Sequence, residues 1–282
     1  MNEPAIRHPG ASFWLHILAA AIFVSAGSCI NIMRANAAPP KRIADKGVIT
    51  YCSDISFPPL EFFDPKTNQP SGLDIDLGKA LAAELGVKAE FKNIAFDGLI
   101  PALQAGQCDA IISGLFDKPA RRAVLDFVDY ARLGNSLIVK ADSNLHFNSL
   151  IQLSGKSVAT ETGSTLEEEL RLANEDLKKS GKPLIKIVAL PKMTDAVQQL
   201  MSGLVDAYYT STVQEAYYNT QNPGQLKLAS PQMSALYIGI GTVKADADLH
   251  EALAAVLNKL RANGDYDKTL KRWSAEALAY NP

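Results

Sequence analysis

Arg121 stands where an apolar strand starting at Asp109-Ala110 has run through Ser113-Gly114-Leu115-Phe116 into a short basic helix. A guanidinium is permanently charged, planar and forked, so at the mouth of such a turn it suits a carboxylate better than other small-ligand groups. A second anion site is set out at Gly163-Ser164-Thr165, after a strand and before the acidic run Glu167-Glu168-Glu169. Free N–H groups and hydroxyls at such a helix start favour an anion. Each feature has a plainer explanation alone: Arg121 and Arg122 as solvated surface charges, Ser164 or Thr165 as an N-cap serving its own helix. Asp54, Phe57, Phe96 and Ser113 to Phe116 also fall at or just beyond strand ends. An Arg fork, helix donors and two aromatic faces are the components that a zwitterion with an apolar stem needs.

Composition narrows the classes. The 282 residues carry a net charge of −2 and are 47% hydrophobic and 21% charged, enough for two domains with cores of their own and without a basic field for nucleic acid. Arg7 and His8, the apolar run FWLHILAAAIFVSAG and then Ala35-Asn36-Ala37 read as a secretory signal over residues 1–37, too short for a comfortable membrane span. The mature chain is expected outside the cytoplasm, in the periplasm. Ala26-Gly27-Ser28-Cys29 is the weaker, lipoprotein-type alternative, because a larger aliphatic residue usually stands where Ala26 does.

Of the three cysteines, Cys52 and Cys108 survive processing. An exported pair invites a disulfide. With Cys52 toward the exit end of one strand and Cys108 at the entrance of another, however, parallel neighbours would hold the thiols apart, and separate cysteines are expected. His146 and His250 have no Cys at ligand spacing, so neither metal nor cofactor is expected.

The elements follow in order. Gly47 to Tyr51 reads as a strand; Pro65 to Gly72 carries hairpin chemistry; Asp74 or Asp76 is placed to cap a helix with Leu77, Leu81 and Leu85 on one face, closed by Gly86. A strand from Val87, a helix over Phe96 to Ala105 and the strand from Asp109 complete a β-α-β-α-β order, which implies a parallel sheet with ligands outside the carboxyl ends of its strands. Leu103-x-x-Gly106-x-x-Asp109-Ala110 then recurs as Leu200-x-x-Gly203-x-x-Asp206-Ala207, pointing to a second similar α/β unit. That unit is entered near Gly134 and left near Tyr237, so two crossing strands make a hinge with the cleft between lobes. The expected boundaries are 38–134 with 238–282 for one lobe and 135–237 for the other. Two helices, Leu249 to Arg261 and Tyr266 to Leu278, close the chain.

FPPLEFFDPKTNQPSGLDIDLGKALAAELGV, FDGLIPALQAGQCDAIISG, DFVDY, LSGKSVATETGST, the second GLVDA block and GDYDKTLKRW together resemble the amino-acid-binding branch of the periplasmic solute-binding proteins of ABC importers. The resemblance covers the whole mature chain. It implies an α/β periplasmic-binding-protein-like type II fold, two α/β lobes on a two-strand hinge, that closes on its ligand. It further implies that Arg121 holds a ligand α-carboxylate shared with Ser164 and Thr165, that Phe57 and Phe96 wall the side chain, and that Asp54 meets a polar or cationic tip. The partners implied are a small carboxylate-bearing ligand and a membrane permease, with the receptor itself a monomer.

Two departures bear on the ligand. Phe116 and Lys118 stand where the family carries hydroxyl residues, and Ser211 stands where it carries the Asp that pairs with the α-ammonium. A hydroxyl does not compensate a desolvated ammonium as a carboxylate does. The expectation is an amino acid or a derivative whose nitrogen is substituted, hidden or handled by Asp54; Glu215, one turn on, reads as a solvated helix charge. The alternative is an exported dehydratase of prephenate-like acids on the same fold, which needs a general acid. The turn offers Ser164 and Thr165 with no carboxylic acid beside them, Glu167 to Glu169 suiting the helix dipole instead. No Ser or Cys has a His at recognisable spacing. No catalytic residue is therefore expected.

Overall fold

The computed structural model describes residues 38–282. The signal segment and Cys29 lie outside the described residues. The strands are β1 (Val48–Ser53), β2 (Ser56–Phe57), β3 (Glu61–Phe63), β4 (Pro70–Ser71), β5 (Lys88–Asn93), β6 (Ala110–Ile111), β7 (Leu125–Lys140), β8 (Ser157–Glu161), β9 (Lys186–Leu190), β10 (Ala207–Ser211), β11 (Leu226–Leu228) and β12 (Ser234–Val243). The helices are α1 (Lys41–Lys46), α2 (Leu73–Glu84), α3 (Leu99–Gln104), α4 (Pro119–Arg122), α5 (Thr165–Lys179), α6 (Met193–Met201), α7 (Thr212–Gln221), α8 (Ala247–Ala262) and α9 (Asp265–Arg272).

One mixed sheet runs in the order β5-β1-β6-β12-β7-β10-β8-β9, with β11 on β7; β2, β3 and β4 form a small separate sheet. Its two ends are parallel triplets, β5-β1-β6 and β10-β8-β9. Between them β7 and β12 run antiparallel, from Leu125↔Val243 to Asn135↔Ser234. The 16 residues of β7 span roughly 50 Å when extended, so one strand serves both ends. It pairs with β12 along its first part and with β10 over Asn135 to Ile138.

Alternating side chains send neighbours on one strand to opposite faces. Val158 and Tyr209 enter one core cluster with Leu166 and Leu170 of α5. Ala159 and Tyr208 enter another with Val197 and Leu200 of α6. At the other end Tyr51 and Ile112 pack with α2 and α8, while Cys52 and Ile111 pack with Leu99 and Leu103 of α3. Both faces of each parallel triplet are thus covered by helices, as parallel strands require.

The sequence echo is a structural repeat. Gly106 (φ 70°) and Gly203 (φ 71°) end α3 and α6 in the left-handed region, each N–H reaching back 2.9 Å to Leu103 and Leu200 carbonyls. Asp109 then accepts from Thr50 N–H at 2.8 Å, and Asp206 from Ser157 N–H at 2.7 Å. In each unit the Asp carboxylate ties the start of one strand to its parallel neighbour.

Three expectations are corrected. Cys52 and Cys108 are joined in a disulfide, Cα atoms 5.6 Å apart. Cys108 lies in the bend before β6, outside the strand ladder, and the bend carries it over the face of β1 into the cluster of Cys52 and Leu103. The cap of α2 is Gly72, and Asp74 points inward. The last long helix stops at Arg272, because Ser274 takes a φ of 52° before a short 3-10 turn at Glu276–Leu278.

Candidate functional site

Arg121 lies in α4 and is only 6% exposed. Its Nη1 donates to the Phe116 carbonyl at 2.9 Å, and its guanidinium carbon lies 5.3 Å from the centre of the Phe96 ring. Among the described residues no carboxylate stands within ion-pair distance of it. Burial lowers its pKa to about 10, against the pull of Glu168 and Glu161, so it remains cationic at neutral pH. Arg122 behaves differently, half-exposed and paired with Asp117. The surface-charge reading thus fits Arg122 and not the buried Arg121.

The turn from β6 to α4 is built by its backbone. Ser113 accepts from Asp54 N–H at 2.8 Å and donates to Glu61 at 3.0 Å, so its hydroxyl is engaged. Gly114 takes a φ of 51°, and a Cβ there would stand 2.8 Å from the Phe57 ring, so glycine lets Phe57 close against the turn. Leu115 packs in the cluster of the disulfide, and Phe57 and Phe116 pack in the core under α2. Lys118 forms an ion pair with Glu168 of α5, joining the turn to the other end of the sheet.

On the facing side Ser164 caps α5, accepting from Glu167 N–H at 3.1 Å and donating to the Glu161 carbonyl at 2.7 Å. Its hydroxyl is thus committed to its own helix. Glu167 accepts from Gly163 N–H at 2.7 Å. Thr165 is the free partner: its Oγ1 is buried without a hydrogen-bond partner. Gly163, at φ 74°, lies so near Asp97 that a Cβ would come within 2.7 Å of the Asp97 Cβ. Met193 N–H also reaches Ser56 across the cleft at 3.1 Å. Ser211 is buried and donates to the Gly134 carbonyl at 3.1 Å, turned to the hinge strand. Glu215 accepts from Asn219 at 2.6 Å on its own helix.

Glu161 changes the reading of this turn. It ends β8, is 2% exposed, and its carboxyl lies near that of Asp54. Burial first, then the Asp54 charge, pushes the Glu161 carboxyl well above the usual range. Asp54 is also raised by burial, although Ser56 and the Phe96 N–H (2.9 Å) stabilise its charge. A carboxylic acid therefore does stand beside Ser164 and Thr165, contrary to the expectation from sequence. Strand alternation is the signal that could have found it, since Glu161 shares a face with the buried Ala159 in an otherwise uncharged strand.

A second acid pair lies deeper. Asp74 accepts from Gly114 N–H at 2.8 Å and Tyr130 OH at 2.6 Å and is raised to about 6 by burial. Glu61, fully buried against it, is pushed well above its ordinary range, first by burial and then by Asp74. Ser113 links Glu61 to the Asp54 backbone. The two acid pairs therefore share one scaffold. Among the described residues no group of three or more His, Cys, Asp or Glu is placed to hold a metal ion.

The family model for bacterial extracellular solute-binding proteins, family 3, matches residues 49–276. The chain belongs to this family. It is thus a solute-binding receptor of two α/β lobes, the type II arrangement of its structural neighbours. The chain is 31% identical over 228 residues to the lysine/arginine/ornithine-binding periplasmic protein of Escherichia coli (strain K12), covering 78% of this chain and 85% of that one. An ancestral arginine-binding protein solved with arginine superposes with a TM-score of 0.73 at 34% identity, over 80% of this chain and 98% of that one. An ancestral amino-acid-binding protein described as a precursor of cyclohexadienyl dehydratase gives a TM-score of 0.73 at 32% identity, over 82% and 97%.

Proposed function

We propose that this receptor captures an amino acid, or a derivative of one, outside the cytoplasm and delivers it as a monomer to the permease of an ABC importer. Residues 38–134 with 238–282 form one lobe, residues 135–237 the other, and β7 with β12 the hinge. Arg121 and Thr165 hold the ligand carboxylate from opposite lobes, Phe57 and Phe96 flank its stem, and Asp54 faces the far end. Gly163, Ser164 and Ser113 to Phe116 shape the walls, and Ser211 leaves the ligand nitrogen without a carboxylate partner on α7. The observation that carries this reading is Arg121: a guanidinium 6% exposed, in a family of solute receptors, without a carboxylate at ion-pair distance among the described residues. A buried charge of that kind is stabilised by a counter-charge. The ligand carboxylate is that counter-charge.

Relatives named for arginine support an amino-acid ligand. The test is a thermal-shift screen of amino acids, N-substituted derivatives and other small carboxylates. A cognate ligand raises the melting temperature in step with its concentration; a screen in which no carboxylate does so contradicts the reading.

One observation favours a second reading as an enzyme: Glu161 is a buried acid beside Asp54 whose carboxyl burial pushes up, and one structural neighbour is described as a precursor of a dehydratase. General acid catalysis needs such a group against the leaving hydroxyl. Incubation with prephenate or arogenate decides it. Formation of the aromatic product supports the enzyme, and recovery of unchanged substrate supports the receptor.

A further inference from the structure

Phe62 of β3 lies with its ring centre 5.4 Å from that of Tyr217 in α7 and 5.8 Å from that of Trp273, the second pair edge-on at 90°. Tilted and edge-to-face pairs of this kind are favourable beyond the area they bury. Trp273, just past α9, is fixed from another side. Its indole N–H donates to Asp76 of α2 at 2.9 Å, and Arg272 pairs with the same carboxylate at 3.1 Å. On the lobe division proposed above, Phe62 and Trp273 form a cradle on one lobe, and Tyr217 is the ring that the other lobe lays into it. Two further side chains cross with it. Val213 of α7 packs against the core cluster of Phe57 and Leu60, and Met193 of α6 lies 5% exposed within that cluster, its N–H on Ser56 at 3.1 Å. Gln214 Nε2 donates to the Met193 sulfur at 3.7 Å, tying α7 to α6.

The join is not a continuous core. A groove of about 240 Å³ runs between α7 and the end of α9, walled by Val213, Tyr217, Thr220, Trp273 and Ala275. Packed interiors hold few voids of that size, so α7 rests on the cradle by separate side chains and can leave it without breaking a core. The same conformation brings Gly163 against Asp97 and pairs Lys118 with Glu168. The rings are therefore in contact when the other contacts between the two ends of the sheet are made.

We infer that Phe62, Tyr217 and Trp273 form an aromatic latch, made when the lobes close and broken when they open, through which Tyr217 sets ligand affinity as a positioning residue. The inference rests on the receptor reading above and adds to it a determinant of affinity outside the groups assigned to the ligand. A ligand that bridges two lobes is bound as tightly as the closed form is favourable, and the latch stabilises that form alone. It acts after encounter, because the ligand first meets an open cleft in which the rings are apart. Loss of the latch therefore speeds release and leaves capture unchanged. Tyr217 also walls a cavity of about 280 Å³ shared with Asp54, so direct contact with the ligand is the competing role; Trp273 does not line that cavity.

Trp273 is the only Trp of residues 38–282, so its emission reports on the latch. The test titrates the mature protein calorimetrically with L-arginine, L-lysine, L-ornithine, L-histidine and L-glutamine, and the tightest binder becomes the probe for stopped-flow fluorescence. In wild type, saturation with the probe shifts the Trp273 emission. Tyr217→Ala, with an unchanged circular dichroism spectrum and ligand-free melting temperature, binds the probe about fivefold or more weakly, through faster dissociation alone. Tyr217→Phe, which keeps the ring, behaves as wild type. Trp273→Leu, followed by calorimetry, also weakens binding, and combined with Tyr217→Ala it costs less than the product of the two losses. Wild-type affinity in Tyr217→Ala, a loss carried by slower association, or an emission unmoved by the probe overturns the latch, while the receptor reading stands. Losses that simply multiply assign Tyr217 to the ligand itself and overturn the latch too. Failure of all five amino acids to bind overturns the inference, and failure of every carboxylate in the thermal-shift screen overturns the receptor reading with it.

Discussion

A Cβ on Gly163 would stand 2.7 Å from the Cβ of Asp97, which places the start of the α5 turn against the Phe96 segment with no room for a side chain. The contact joins segments from the two ends of the sheet. Gly163 also holds a φ of 74°, which non-glycine residues rarely adopt. Gly163→Ala is therefore expected to oppose closure and weaken ligand binding by about tenfold or more. Isothermal titration checks the affinity and small-angle scattering checks that the variant is more open. Asp97→Gly in the same chain recovers part of the loss by removing the facing Cβ.

Thr165 contributes the one hydroxyl of its turn that is buried and unpartnered, whereas Ser164 is committed to capping α5. The two neighbours should respond differently. Thr165→Val is expected to weaken ligand binding by about 1 kcal/mol or more with little change in melting temperature, and Ser164→Ala to cost about 1 kcal/mol of stability. Titration and thermal melts on the pair read the two effects separately.

The Cys52–Cys108 disulfide closes a loop of 56 residues that contains β3, α2 and β5. Cross-linking a loop of that size typically adds about 2–4 kcal/mol. The Cys52→Ser, Cys108→Ser double variant should melt several degrees lower than wild type. Its ligand affinity should change less, because both cysteines lie in the core cluster of Leu99, Leu103 and Ile111.

Glu61 and Asp74 predict a pH dependence of stability. Both carboxyls are raised by burial, Asp74 to about 6 and Glu61 well above its ordinary range. Their stabilising contribution is complete below the ordinary carboxyl range and is lost as pH rises through the raised values. The ligand-free protein should therefore lose stability as pH rises through about 6 and above. Glu61→Gln, which keeps a donor for Asp74 at any pH, should flatten that slope. A slope identical to wild type would contradict the account.

How much of the fold and site is readable in the chain depends on whether a residue's role is local. The Leu-x-x-Gly-x-x-Asp-Ala echo encodes a helix end, a left-handed Gly and a strand start within eight residues, so the repeat is legible in the residue pattern alone. Arg121 is legible as a candidate because Gly114 and Pro119 mark the turn that holds it. Ser164 also behaves locally, as the cap its type predicts. Glu161 and Glu61 are not legible in the same way. Nothing near them in sequence says that a partner carboxyl from another element will arrive, and an acid at the end of a strand or within a hairpin ordinarily faces water. Cys108 misleads for a related reason. Strand register predicts where strand residues lie, and Cys108 lies in the bend just before the strand.

The central claim is that Arg121 is the anchor for a ligand carboxylate, and isothermal titration of wild type against Arg121→Ala tests it most directly. The ligand is the amino acid that gives the largest thermal shift, and its carboxamide serves as the control. The account predicts that Arg121→Ala weakens the acid by at least a hundredfold, about 3 kcal/mol, and that wild type binds the carboxamide as poorly as the variant binds the acid. An Arg121→Ala protein that is folded and retains wild-type affinity for the acid would contradict it.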